Sequence, residues 1–186
     1  AIRALPPSIV SIYVYAYQSF LFNEISSLRV DEMGNDLTTP VNGELVSLLD
    51  KKNGQVTKVR YIVNKDNQEM LEEYIKLGKA CITIPVIGRK VRVNKENPAW
   101  NYYQVLFNEE EIERGFLKKP EFNLDINLNG IYRPLALYPR GFNLIEVIPD
   151  DIFPGKQACK ISFSLPKGTY ATMFLREIMK IDNQYL

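Results

Sequence analysis

The apolar positions of this chain change period along its length, and each change marks an element. After Pro6 and Pro7, the stretch from Ile9 to Phe22 is apolar in most positions, interrupted by Ser11, Gln18 and Ser19. It predicts a long, largely buried helix from Ser8 to Arg29. A polar loop from Asp31 to Gly43 follows, carrying Gly34 and Pro40. Glu44 to Leu49 and Gln55 to Asn64 read as two strands joined by Asp50-Lys-Lys-Asn-Gly54, whose Asn-Gly pair is a hairpin turn signal. Asp66 is placed to cap a helix from Asn67 to Leu77, with acids in its early turns and Gly78 at its end.

The second half continues in the same manner. Ala80 to Ile87 predicts a strand, and Pro98 opens a helix through Trp100 to Phe107. Asn108 begins a second short helix ending near Gly115. Strands are expected at Ile131 to Leu137, Asn143 to Val147 and Gln157 to Leu165. Within the last of these, Lys160 to Leu165 alternates polar and apolar residues. Pro166 and Gly168 stop it, Thr169 can cap, and Tyr170 to Met179 reads as a helix. The succession is α+β rather than a regular βα alternation.

Composition narrows the chemistry. The 186 residues suffice for one large or two smaller domains, and a hydrophobic content of 46% is ordinary for a globular chain. No apolar run is long enough to cross a bilayer and no signal peptide is visible, which points to a soluble intracellular protein. There is no histidine and there are two cysteines. That removes Ser-His and Cys-His nucleophiles and leaves no basis for a zinc site. Cys81 and Cys159 fall in expected strands and read as buried, reduced thiols.

The net charge of +1 hides an uneven distribution. From Lys76 to Lys95 the chain carries Lys76, Lys79, Arg89, Lys90, Arg92 and Lys95 with no acid between them. Such a cluster suits phosphate contacts, and equally an ordinary solvated face. The acids around Glu69 to Glu73 and Glu109 to Glu113 read as solvated helix surface. Tyr170, Phe174 and Ile178 share one helical face, a pattern of a core stripe. Tyr170 stands apart because it begins the helix beside a strand end, where a turn presents its residues at a sheet edge.

That last stretch, Leu165-Pro166-Lys-Gly168-Thr169-Tyr170-Ala171-Thr172 with Leu175-Arg176-Glu177 behind it, resembles the C-terminal signature of the TruD family of tRNA pseudouridine synthases. There a strand ending in Leu-Pro is followed by Gly-Ser/Thr-Tyr/Phe-Ala-Thr and Leu/Val-Arg-Glu. Gln18-Ser19-Phe20-Leu21-Phe22-Asn23, with Ser27 and Arg29, is similar to the family's Gln-Ser-(aromatic)-Leu-Phe-Asn helix. Gly130-Ile131-Tyr132-Arg133-Pro134-Leu135 resembles the segment by which the family's chain returns to its catalytic domain. Pro85-Val86-Ile87-Gly88 lies between them in the expected order.

The resemblance implies residues 1–138 as most of the family's insertion domain, and 139–186 as the C-terminal part of its catalytic sheet. It implies a cytoplasmic enzyme that isomerises uridine to pseudouridine at position thirteen of tRNA without a cofactor. An aspartate attacks the nucleoside, the glycosidic bond breaks, the uracil turns and C5 is rejoined to the ribose. The family's Gly-x-Lys-Asp and Asn-(aromatic)-Phe-Gly motifs are absent here. The nucleophilic aspartate is therefore expected upstream, in an N-terminal half that this chain would need as a partner, and the chain alone is expected to be inactive. A non-catalytic RNA-binding or assembly module on the same scaffold is the alternative.

Within the resemblance, Tyr170 offers a ring to the extracted uracil. Thr172 stands where other pseudouridine synthase families place an arginine, and Arg176 is open to binding phosphate, meeting the aspartate or bracing the sheet. Lys79, Arg89, Lys90, Arg92 and Lys95 are the expected RNA contacts. Arg133 could be a hinge ion pair or a phosphate contact. Gln18 and Asn23 are expected to tie backbone groups rather than RNA.

Overall fold

The computed structural model describes residues 5–34, 36–88, 90–108, 112 and 129–179. The chain divides into two compact units, Ala1–Leu49 with Val56–Ala136, and Asp50–Gln55 with Leu137–Leu186. In the first, helix α1 (Pro7–Met33) starts at the two prolines. Strands β1 (Leu45–Leu49), β2 (Val56–Ile62), β3 (Ala80–Val86) and β4 (Ile131–Pro134) make an antiparallel sheet in the order β2-β1-β3-β4. Helices α2 (Gln68–Lys76) and α3 (Ala99–Leu106) belong to the same unit.

The helices crowd onto one face of this sheet. Val46, Ala80 and Ile82 pack with Leu71 and Ile75 of α2. Ile84 and Ile87 pack with Ile25 of α1 and with Trp100 and Tyr103 of α3. β3 is buried from end to end, as a central strand must be. Tyr103 is held at its hydroxyl, which donates to the Pro85 carbonyl (2.9 Å) and accepts from the Ile87 N–H (3.3 Å).

Three expectations need correction. α1 is buried only along Gln18, Leu21, Ile25 and Arg29, the spacing of one helical face, while Ile12, Tyr13, Tyr15 and Phe20 are exposed. Its apolar residues run all the way round, and the sheet can cover only one stripe. Asp66 does not cap α2: Asn67 holds that position, and the Asn64 side chain accepts from the N–H groups of Asp66 and Asn67. Cys159 is exposed, whereas Cys81 is buried. The short helix expected from Asn108 to Gly115 lies mostly outside the described residues, although Ile112 is buried in the core.

One buried ion pair ties the first unit together. Arg29 on α1 is 1% exposed and Glu44, at the entry to β1, is 5% exposed. Arg29 Nε donates to Glu44 Oε1 at 2.7 Å and Nη2 to Oε2 at 3.2 Å. The other donors reach the carbonyls of Asp36 (3.3 Å) and Thr39 (3.1 Å), and Glu44 Oε2 also accepts the Val41 N–H at 2.9 Å. Two glycines make a second joint. A Cβ on Gly88 would run into the backbone of Gly130, and one on Gly130 into Val86 and Val91. Both positions lie in segments singled out in the sequence, and only glycine permits their close approach.

The second unit is a hairpin of β5 (Arg140–Pro149) and β6 (Gln157–Ser164), followed by α4 (Ala171–Met179). Arg140 donates to the carbonyls of Lys51 (2.9 Å) and Asp50 (3.1 Å), joining the 50–55 turn to the hairpin. Phe174 packs edge-on against Phe163 and Phe142, with ring centroids 4.6 and 6.0 Å apart. From 137 to 179, Pro166 alone is buried. The exposure of Cys159 follows, because a two-stranded ribbon covers neither of its own faces.

Replacing Arg29 by Ala strands a buried carboxylate and should cost about 3–5 kcal/mol in urea unfolding. The apolar pair Arg29→Met with Glu44→Leu should recover much of that loss. A single-variant cost no larger than that of a surface substitution would show that the pair does not hold the unit.

Candidate nucleic-acid interface

The turn between β6 and α4 is built as its residues dictate. Pro166 ends the strand and is buried, and Gly168 adopts φ 90°, a left-handed conformation that only glycine takes readily. Thr169 turns back on the same point, its N–H donating to the Pro166 carbonyl at 3.2 Å and its hydroxyl to the same oxygen. The Tyr170 carbonyl then accepts the N–H groups of Met173 (3.2 Å) and Phe174 (3.4 Å), so α4 begins immediately after Tyr170.

This divides the aromatic stripe read from the sequence. Phe174 is taken into the small core of the unit, whereas Tyr170 is 69% exposed and Ile178 is also exposed. Within this unit Tyr170 is not a core residue. Thr172 is exposed two positions further on, in the first turn of α4, and Arg176 is half-buried on the same helix. The strand end, the buried proline and the phenylalanine cluster thus hold an outward ring on a defined frame.

The basic residues do not form one patch. Lys79 precedes β3, with its ammonium 5.8 Å from the centre of the Tyr74 ring. Lys90, Arg92 and Lys95 follow the other end of that strand and are exposed. Seven extended residues separate the two groups by roughly 23 Å. Lys95 lies 5.2 Å from the centre of the Trp100 ring. Arg89 falls outside the described residues.

Arg133 is turned inward instead. Its Nη1 donates to Ser19 Oγ at 3.1 Å, and its guanidinium lies 4.4 Å from the centre of the Phe22 ring. Gln18 Nε2 donates to the Asn129 carbonyl at 3.0 Å. The Gln18-Ser19-Phe22 face of α1 therefore clasps the segment 129–133, more than a hundred residues away in sequence. Asn23 is exposed. Sequence reading missed a different pair. The Arg60 guanidinium, on β2, lies 4.2 Å from the centre of the Tyr132 ring on β4. The two stand at opposite edges of the sheet, and no linear pattern joins them.

The aspartates that could be assigned a task cap turns. Asp36 accepts from Thr38 and Thr39, Asp50 from Lys52 and Asn53, and Asp150 from Ile152 and Phe153. The Thr38 hydroxyl and N–H hold the Asp36 carboxyl well below its usual range, and the Asn53 and Lys52 N–H groups lower that of Asp50. The Asp36 and Asp50 carboxylates are thereby stabilised as anions, and all three side chains already accept N–H groups of their own turns. Burial pushes the Cys81 thiol up to about 12, which removes it as a nucleophile at neutral pH. Among the described residues no helix is long and apolar enough to cross a membrane.

Residues 1–178 match the family described as tRNA pseudouridine synthase D (TruD). A relative from Thermococcus sibiricus, named "Probable tRNA pseudouridine synthase D", is 32% identical over 180 residues, covering 97% of this chain and 40% of its own length. One of the same name from Thermococcus gammatolerans is 33% identical over 181 residues, with the same shares covered. A crystal structure from Methanosarcina mazei, also named TruD, is 28% identical with a TM-score of 0.72, covering 97% of this chain and 40% of that one. The chain thus spans about two fifths of the length of the curated relatives it matches.

The exposure of Tyr170 sets a stability expectation. Tyr170→Ala should leave the melting temperature of any protein carrying this segment nearly unchanged, as surface substitutions do, within about 0.5 kcal/mol. Phe174→Ala should lower it clearly. Equal losses from both, measured by thermal unfolding, would return Tyr170 to the core stripe.

Proposed function

This chain belongs to the tRNA pseudouridine synthase D (TruD) family, and we propose that it forms the RNA-gripping part and one wall of the uracil pocket of a longer enzyme. That enzyme isomerises uridine to pseudouridine at position thirteen of tRNA, in the cytoplasm and without a cofactor. The observation that carries this reading is the outward Tyr170 ring, braced on a turn whose residues match the family signature. An extracted base needs a flat partner and polar contacts, and Tyr170 with Thr172 supplies both kinds of group.

The nucleophilic aspartate belongs to the part upstream of this chain. The occupied, turn-capping roles of Asp36, Asp50 and Asp150 support that assignment. So do the rows of exposed apolar side chains on the first half of α1 and on the β5–β6 hairpin, the kind of surface that a partner covers. After the upstream aspartate has attacked and the glycosidic bond has broken, Tyr170 retains the free uracil while it turns to present C5 to the ribose. Arg176, on α4, is open to steadying a phosphate, meeting the upstream aspartate or bracing the scaffold. Residues 1–138 act as the insertion domain, and 139–186 complete the catalytic sheet.

In the full-length protein, Tyr170→Phe should retain most activity, since the stacking face remains. Tyr170→Ala should lose roughly ten- to a hundred-fold in turnover or affinity, from a stacking contribution of about 1–3 kcal/mol. The isolated 186-residue chain should form no pseudouridine from a uridine-containing tRNA. Product from that chain would make one of its own aspartates the nucleophile. No product from the full-length protein would leave a non-catalytic RNA-binding module as the better account.

Phosphate binding has a separate readout. Replacing Arg89, Lys90, Arg92 and Lys95 together by Ala should weaken tRNA binding and flatten its salt dependence by about one unit of slope for each phosphate no longer neutralised. An unchanged slope would make these residues an ordinary solvated surface. Lys79→Ala, at the other end of β3, should act independently of that group.

A further inference from the structure

The face of the four-stranded sheet turned away from the helices carries a feature that the folding of the sheet does not require. Strand register places Arg60 opposite Ser47, Ser47 opposite Cys81, Leu45 opposite Thr83, and Pro85 opposite Tyr132. Since paired residues point to the same side and the side-chain period is two, all of these share one face. The three central side chains are small and almost inaccessible: Ser47 is 0%, Thr83 2% and Cys81 3% exposed.

Their polar groups are satisfied among themselves. Ser47 Oγ and Thr83 Oγ1 are 3.0 Å apart, and Thr83 Oγ1 donates to the Leu45 carbonyl at 3.1 Å. Nothing in this floor needs a cation. Yet Arg60 reaches from one edge strand and Tyr132 from the other, across about 14 Å of sheet, to meet at 4.2 Å. The low floor of Ser, Cys and Thr gives two flat groups room to lie over the middle of the sheet. Arg60 is exposed, and among the described residues no carboxylate or carbonyl accepts from it. Its N–H fork is thus directed by the ring and left for an external acceptor. Lys58, exposed two positions earlier on the same strand, adds a second positive charge.

We infer that this face is a second RNA contact, in which Arg60 takes a phosphate and the Tyr132 ring receives a base of an unpaired stretch of the RNA. The inference rests on the proposed RNA-modifying function. Guanidinium matches phosphate in a bidentate manner, and a half-buried aromatic ring such as that of Tyr132 can still offer a sequence-tolerant stacking edge or face to a base. Holding the arginine against the ring beforehand lowers the ordering cost of binding. Arg60 itself brings a positive charge to this face, which suits a polyanion.

The test uses the full-length protein and an unmodified tRNA transcript. Affinity is measured at several salt concentrations, together with melting temperature and pseudouridine formation. Arg60→Ala should weaken binding about five- to thirty-fold and lower the salt slope by about one unit. Tyr132→Leu should weaken it by a similar factor with the slope unchanged, and Tyr132→Phe should bind as the parent does. Melting temperatures should stay close to that of the parent in all three. Parental affinity and slope in both Arg60→Ala and Tyr132→Leu would overturn the inference while leaving the proposed function intact. A loss of affinity only in proportion to a lowered melting temperature would also overturn it, making the pair a structural strap. A parent protein that binds tRNA but forms no pseudouridine would instead count against the proposed function. One that does not bind tRNA at all would remove both.

Discussion

Arg29 cannot be buried alone, and the first unit is arranged around that fact. A guanidinium withdrawn from water needs its charge balanced and its donors filled. Glu44 supplies the charge through two hydrogen bonds, while the carbonyls of Asp36 and Thr39 take the rest. These partners come from the loop after α1 and from the entry to β1. One side chain therefore determines where the helix ends, how the loop folds back and where the sheet begins. Val41, through its N–H on Glu44, closes the same network.

With that corner set, the sheet has two different faces. One is apolar and takes α1, α2 and α3; the other has a floor of small, mutually hydrogen-bonded side chains beneath Arg60 and Tyr132. β4 serves both. Its Arg133 points toward α1, where Ser19 and Phe22 hold it, and the adjacent Tyr132 points to the opposite side. The alternation of a strand is enough to give neighbouring residues separate tasks. The mutual approach of Gly88 and Gly130 sets the segment that enters this strand.

The second unit follows a different economy. Its hairpin and helix bury little beyond Pro166 and the cluster of Phe142, Phe163 and Phe174. What that small core achieves is local: it fixes the turn through Gly168 and Thr169, and with it the direction of the Tyr170 ring. A short frame of this kind can position a side chain, although it offers too little buried surface to be stable by itself.

Much of this was legible from the residues. The strand order along the chain, the Asn-Gly hairpin, the stop at Pro166 and Gly168 and the start of α4 all follow from local preferences that act over a few positions. The matches from Gln18 to Arg176 made the family visible in the residues themselves. Local pattern was silent wherever the deciding partner is distant in sequence. It could not tell that only one stripe of α1 is covered, that Asn64 and Asn67 rather than Asp66 organise the start of α2, or that Cys159 is exposed. It grouped Lys79 with Lys90, Arg92 and Lys95, which a fully extended strand then holds apart. It could not assign Arg133, whose partners lie more than a hundred residues earlier, or join Arg60 to Tyr132 across two intervening strands. Short-range stereochemistry determined the elements; which face of each is covered, and which cations are left outside, was decided by packing.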